Sequence, residues 1–227
     1  MSKVRSRAGL FARQSVMIAA LAVLSSTARA GQPEARDFVV TVDGKPAGNY
    51  RLAIDINSDN TETISSTADV KVKTLIGSYT YSLRSAEVWR DGRLVSVSAT
   101  ANDNGKKHAV SASLAGDTLN IVADGRSRSS RGNFLTTTGW QMPRPTDKDG
   151  LPHMLDTEDG TETAVRIQSL GSWQVNVAGN SIVTQRFHVT GKDIETEWWF
   201  DSERRPVRQE MKWDGHKVVL HLTAVRH

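Results

Sequence analysis

"EVWRDGRLVSVSATANDNG", residues Glu87 to Gly105, decides the fold. It reads as two strands joined by a two-residue turn at Asp91-Gly92, with a further turn signal at Asn104-Gly105. Gly, Asn and Asp tolerate the positive φ that two-residue hairpin turns demand. Just upstream, in "YTYSLRSAEVW", Tyr79, Tyr81 and Leu83 are apolar on the odd face and Ala86 and Val88 on the even one. That change of face predicts a bulge near Ser85, which would bend the strand and re-aim Trp89. Trp89 then reads as a core or rim residue of a curled sheet.

The same grammar extends in both directions. "YRLAIDI" sets Tyr50, Leu52, Ile54 and Ile56 against Arg51, Ala53 and Asp55, and "HAVSASL" sets His108, Val110, Ala112 and Leu114 against Ala109, Ser111 and Ser113. "SWQVNV", "VTQRFHV" and "VVLHLTAV" alternate in the same way. Turn pairs fall where alternation stops: Asp43-Gly44, Gly116-Asp117, Gly179-Asn180, Gly191-Lys192 and Asp214-Gly215. Period-two alternation with one polar face is the mark of antiparallel strands packed on one side. The expectation is an all-β chain: one large curved antiparallel sheet of about ten strands, mostly hairpin-connected, as a half-barrel or open up-and-down β-barrel.

Residues 1–30 read differently. Lys3, Arg5, Arg7 and Arg13 precede the apolar run "SVMIAALAVL", Ser15 to Leu24, and small residues lead to "ARA", Ala28 to Ala30. Basic start, apolar core and A-x-A end predict a signal peptide cleaved after Ala30, hence a periplasmic or secreted protein. The run is too short for a membrane span of roughly 20 residues. Removal of the leader also changes the charge. Of 29 basic residues it holds five, and it holds no acid, so 24 basic residues face 25 acidic ones in the remainder. The excess of +4 belongs to the leader. A basic footprint for nucleic acid is therefore not expected. There is no cysteine, which excludes disulfides, thiolate nucleophiles and cysteine-ligated metal. With no second apolar span, residues 31–227 are expected to form one soluble β domain.

One stretch breaks the meander. From Arg126 to Gly160 the chain carries Pro143, Pro145 and Pro152, a basic cluster at Arg126, Arg128 and Arg131, and an acidic tract from Asp147 to Asp159. Proline removes ladder donors, so a long irregular loop is expected at about 126–160.

The segments "YTYSLRSAEVWRDGRLVSVSATANDNG", "TTTGW", "HMLDTEDG" and "TGKDIETEWWFDSERRPVRQEMKWDGHKVVLHL", with the early "DGKPAG" hairpin at Asp43 to Gly48, resemble a family of exported bacterial proteins, domain of unknown function 6134. The resemblance spans about Phe38 to Leu222. After the loop tryptophan, "WQMPRPTDKDG" departs from the family pattern. The resemblance implies fold and export, and it implies no catalytic residues.

Motifs for known chemistry are missing. Neither G-x-S-x-G nor H-E-x-x-H occurs, and no glycine-rich phosphate loop is present, so no cofactor is expected. "DKDG" at Asp147 to Gly150 starts like a calcium loop, but its later ligands are out of register. The six histidines form no ligand-like pair, and no metal is expected; His188 and His221 fall on polar faces and are expected in solvent. Three function classes follow. The first is a non-catalytic carrier or sensor holding an apolar or lipid-like ligand in the concave sheet. Its expected contacts are Trp89, Phe134, Trp140, Trp173 and Trp199, with Arg128 or Arg131 on an anionic headgroup and the loop as a flap. The second is an envelope structural or assembly protein with a protein partner. The third is a hydrolase using Glu195, Glu197 or Asp201, with an aromatic ring as sugar platform.

Overall fold

A computed structural model describes residues 33–74, 77–146 and 150–227. The leader and its cleavage site lie outside these residues, as do Asp147 to Asp149. Among the described residues there are fifteen strands and no helix. They are β1 Glu34–Val42, β2 Lys45–Ile56, β3 Thr61–Thr74, β4 Gly77–Arg90, β5 Arg93–Asp103, β6 Lys106–Ala115, β7 Thr118–Ala123 and β8 Arg126–Arg131, then β9 Phe134–Thr136, β10 His153–Leu155, β11 Glu162–Val177, β12 Asn180–Gly191, β13 Ile194–Phe200, β14 Pro206–Trp213 and β15 His216–Arg226.

All belong to one sheet, ordered β8-β7-β6-β5-β4-β3-β2-β1-β15-β14-β13-β12-β11-β10-β9. Neighbours pair antiparallel except β9 with β10. The chain meanders outward from β1 to β8, crosses to the far edge, and meanders back until β15 pairs with β1. A twisted sheet this wide must curl, and here it curls until the β8 edge reaches the start of β11, two strands in from the β9 edge. Arg128 of β8 donates to the Gly160 carbonyl, and the Ser130 hydroxyl donates to Glu162 of β11 at 2.6 Å. This seam is held by side chains, and among the described residues no backbone ladder crosses it. The result is an open barrel with a clasped edge.

The turns follow the expected chemistry. Asp43-Gly44, Asp91-Gly92, Asn104-Gly105 and Asp214-Gly215 each place both residues at positive φ, as a type I′ hairpin turn requires. Two boundaries shift: the β11–β12 turn is Ala178-Gly179, and β12 runs through Gly191, leaving the next turn to Lys192 and Asp193. Gly92 sits at φ +74° with its absent Cβ 3.4 Å from Gln141. Gly92→Val is therefore expected to cost about 1–3 kcal/mol, since a β-branched residue resists that backbone region. A melting temperature equal to wild type would refute this. Gly48 is demanded by space instead: a Cβ there would lie 2.1 Å from the Asp69 carbonyl oxygen.

Most of the core lies on one face of the sheet, the inside of the barrel. Phe38, Val40, Tyr50, Leu52, Ile54, Ile64, Val97, Val110, Ile121 and Leu220 are all buried there, side by side in register. Two sequence expectations are corrected. The 126–160 stretch is not one loop: it contains β8, β9 and β10, and among the described residues 132–133, 137–146, 150–152 and 156–160 lie outside strands. Strand β8, "RSRSSR", has no apolar alternation to reveal it and is held by pairing with β7. The expected change of face at Ser85 does not occur. Leu83, Ser85, Glu87 and Trp89 are all buried on the same inward face. The bulge lies later, opposite Val88 and Trp89, where Val95 is the extra residue in β5.

Candidate functional site

The inward course of β4 carries a carboxyl group into the core. Glu87 is completely buried, and it has three donors: the Trp89 indole N–H at 2.8 Å, the Thr136 hydroxyl at 2.9 Å and the Thr138 hydroxyl at 2.9 Å. Burial pushes its pKa up, and the three hydrogen bonds oppose that shift without cancelling it. Thr136 and Thr138 belong to the "TTTGW" segment, so Glu87 anchors the chain that leads to Trp140. The Trp140 ring meets Trp89 edge-on at 5.6 Å, and the Arg205 guanidinium lies 5.7 Å from the Trp140 ring centre. Tyr50 adds its hydroxyl beside the Thr138 carbonyl, and burial raises its phenol pKa.

A second polar centre lies on the opposite, outer face, and the β11–β12 hairpin creates it. Leu170 is an extra residue in β11 between Ser169, opposite Phe187, and Gly171, opposite Arg186. Gly171 takes φ +80°. A bulge of one residue reverses which face each later side chain occupies. Val165 and Ile167 therefore point into the core, whereas Trp173 and Val175 point outward with Arg186. Strand β11 is four places from β15 in the sheet, yet the two touch. The distal arm of the hairpin folds back over the outer face of β13, β14 and β15, and it buries Val175 and Thr184.

Beneath that arm is a groove of about 360 Å³ lined by Trp173, Gln174, Val175, Asn176, Arg186, Glu197, Trp199, Arg208, Glu210 and His221. The Arg186 guanidinium lies between two indoles, 5.0 Å from Trp173 and 5.1 Å from Trp199, and Arg208 stands 5.5 Å from Trp199. Each guanidinium is paired. Arg186 donates to Glu197 at 2.9 Å and Arg208 to Glu210 at 2.9 Å. Burial raises the Glu210 pKa, but hydrogen bonds from Lys217 and Arg208 and their charges outweigh it and hold the carboxyl below its ordinary range. His221 accepts from Arg208 at 3.1 Å and is half-buried, contrary to its expected exposure. Burial, then the Arg208 charge, lowers its pKa and keeps it neutral.

The seven expected contact residues thus fall in three places. Trp89, Phe134 and Trp140 are core residues inside the barrel. Trp173 and Trp199 meet in the outer groove through Arg186. Arg128 clasps the seam, and Arg131 sits on the β8 edge with its side chain on Thr118. The carboxylates of the "IETEWWFD" strand have separate partners: Glu195 with Lys212, Glu197 with Arg186, and Asp201 with the buried Arg36 at 2.7 Å. Sequence reading missed Glu87, Arg186, Arg208 and His221. Inward parity with Leu83 and Trp89 was the available signal for Glu87. The other three needed the folded-back arm, which no local pattern announces.

The comparisons with known proteins agree with this architecture. The model of the family "Domain of unknown function (DUF6134)" matches residues 38–223. The chain belongs to the DUF6134 family. Among curated proteins nothing matches it. Among solved structures, a crystal structure titled as a beta-barrel-like protein of domain of unknown function DUF1849 from Brucella abortus is similar, with a TM-score of 0.60 at 10% identity. The alignment covers 86% of this chain and 97% of that one, and at such identity it shows the fold alone. Within the DUF6134 domain, the segments that carry the family likeness have physical tasks. "DGKPAG" supplies a type I′ turn and a glycine against the β3 backbone, and "TTTGW" supplies both threonines on Glu87. Among the described residues no helix is long and apolar enough to cross a membrane.

Proposed function

We propose that this DUF6134 protein is an exported, non-catalytic binding module that takes its ligand in the outer groove beneath the β11–β12 arm. The observation that carries this reading is the groove itself: a concave site of small-molecule size whose polar side chains are already locked by one another. Locked side chains lose little rotamer freedom when a ligand arrives, which favours binding. Carriage of an apolar ligand inside the barrel is less well supported, because Trp89, Trp140 and Phe134 fill the interior as core. Binding is favoured over turnover because Glu197 and Glu210 are tied to guanidiniums, and Glu210 is held ionised, so it is poorly suited to give up a proton. Glu87 has the raised pKa of an acid but is sealed from substrate. Export rests on the leader, with cleavage after Ala30.

Native mass spectrometry of protein released gently from the periplasm tests the proposal. The expected species is a chain beginning at Gly31, a fraction of which carries a small-molecule adduct that Trp173→Ala loses. A mass retaining Met1 to Ala30 would overturn export. An adduct-free chain that also gives no saturable tryptophan fluorescence change with fatty acid, phospholipid, amino acids or oligosaccharides would overturn binding.

A further inference from the structure

We infer that the groove ligand is a neutral saccharide, an inference that rests on the binding reading above and names its chemistry. Charge is the first observation. The lining brings two guanidiniums and two carboxylates, already paired, and a histidine held neutral. An anion entering must compete with Glu197 and Glu210, and a cation with Arg186 and Arg208, so an ionic ligand gains little. A long acyl chain fares no better, since it would strip water from these ion pairs and from Gln174 and Asn176 without replacing their hydrogen bonds.

The second observation is Trp173. Trp173 is 53% exposed as a residue although the Arg186 guanidinium stands 5.0 Å from its ring, so part of its surface stays open to solvent at the groove wall. Such surface is a platform with a negative π-face, to which the weakly positive C–H face of a pyranose ring is complementary. A flat sugar ring on Trp173 directs its hydroxyls outward in its own plane. Carboxylate oxygens and guanidinium N–H groups of the Arg186–Glu197 and Arg208–Glu210 pairs offer the donors and acceptors such a ligand needs, at fixed angles. The paired charges that leave an ionic ligand little to gain are well matched to a ligand that is both donor and acceptor at every hydroxyl.

Isothermal titration calorimetry of the chain beginning at Gly31 decides the point, with maltotetraose, cellotetraose and the tetramer of N-acetylglucosamine as neutral probes. Sodium oleate and a heparin tetrasaccharide serve as apolar and anionic probes. At least one neutral tetrasaccharide is expected to bind saturably. Its affinity should fall at least tenfold in Trp173→Ala and recover most of that loss in Trp173→Tyr, with both variants melting as wild type because the ring is on the surface. No saturable heat with any neutral probe, or equal binding by Trp173→Ala, overturns the saccharide inference. Binding of oleate or heparin fragment that Trp173→Ala abolishes overturns it as well, while leaving the binding reading intact. Failure of all five probes together with an adduct-free native mass would remove both.

Discussion

Glu87→Ala is expected to lower the folding free energy by about 3–5 kcal/mol, through one cavity and the stranding of a buried indole N–H and one threonine hydroxyl. The carboxyl is the shared acceptor for Trp89, Thr136 and Thr138. Truncation leaves the buried indole N–H without an acceptor and the two hydroxyls with only each other at 2.9 Å, and it unties the "TTTGW" segment from β4. The midpoint of chemical denaturation is the measurement, and a midpoint within error of wild type would sink the assignment. Glu87→Gln separates shape from charge. The amide fills the same volume, accepts from Trp89 through its oxygen and donates to a threonine through its nitrogen, so most of the loss should be restored.

The sign of the pH dependence follows from the raised pKa. A carboxyl whose folded pKa lies above its unfolded value binds its proton more tightly in the native state, so ionisation weakens folding. That penalty is absent below the ordinary glutamate range, grows as pH rises from there to the folded pKa, and stays constant above it. Asp156 and Glu158 are also raised, each chiefly by burial, but both remain in the variant and cancel in the comparison. The melting temperature of Glu87→Gln minus that of wild type should therefore be larger at pH 7.5 than at pH 4. A difference that shrinks with pH would mean that the three donors outweigh burial.

Different parts of this molecule were legible to different degrees, and for physical reasons. Strand alternation and Asx-Gly turns are local, so the all-β meander and the hairpins at Asp91-Gly92 and Asn104-Gly105 could be read directly. Strand β8 has only serine and arginine, and β9 and β10 have three residues each. Their strand character comes from neighbours and not from pattern. Glu87 was hidden by the usual rule that polar residues face water; two inward polar residues, Ser85 and Glu87, imitate a change of face. The groove was hidden more deeply. It requires a bulge at Leu170 to turn Trp173 outward and an arm that reaches four strands across the sheet to His221. Contacts of that range leave no period in the sequence.

Trp140 is the position where the flap expectation and the core assignment make opposite predictions. If Trp140 were a movable lid, its removal would change ligand response and leave stability alone. Its surroundings argue for the core. The side chain is 2% exposed, one edge packs on Trp89 and a guanidinium covers the ring, and Gly139 just before it takes φ +59° with Trp198 3.2 Å from the position of its absent Cβ. A Cβ there would press on the Trp198 ring, and the positive φ resists any side chain, so the approach to Trp140 favours glycine. Trp140→Ala is expected to cost about 3–5 kcal/mol, the range for deleting a large buried aromatic that its neighbours cannot replace. For a domain of this size that is roughly 2–4 °C of melting temperature per kcal/mol. The indole nitrogen has no hydrogen-bond partner among the described residues, so the loss is one of packing. Trp140→Phe should accordingly recover a large part of it, which a hydrogen-bonding role would not allow. Trp89→Ala combined with Trp140→Ala should cost less than the two single changes added, by about 0.5–1.5 kcal/mol, because the edge-on ring contact can be lost only once. Wild-type stability in Trp140→Ala, with strict additivity in the pair, would return the segment to the role of a lid.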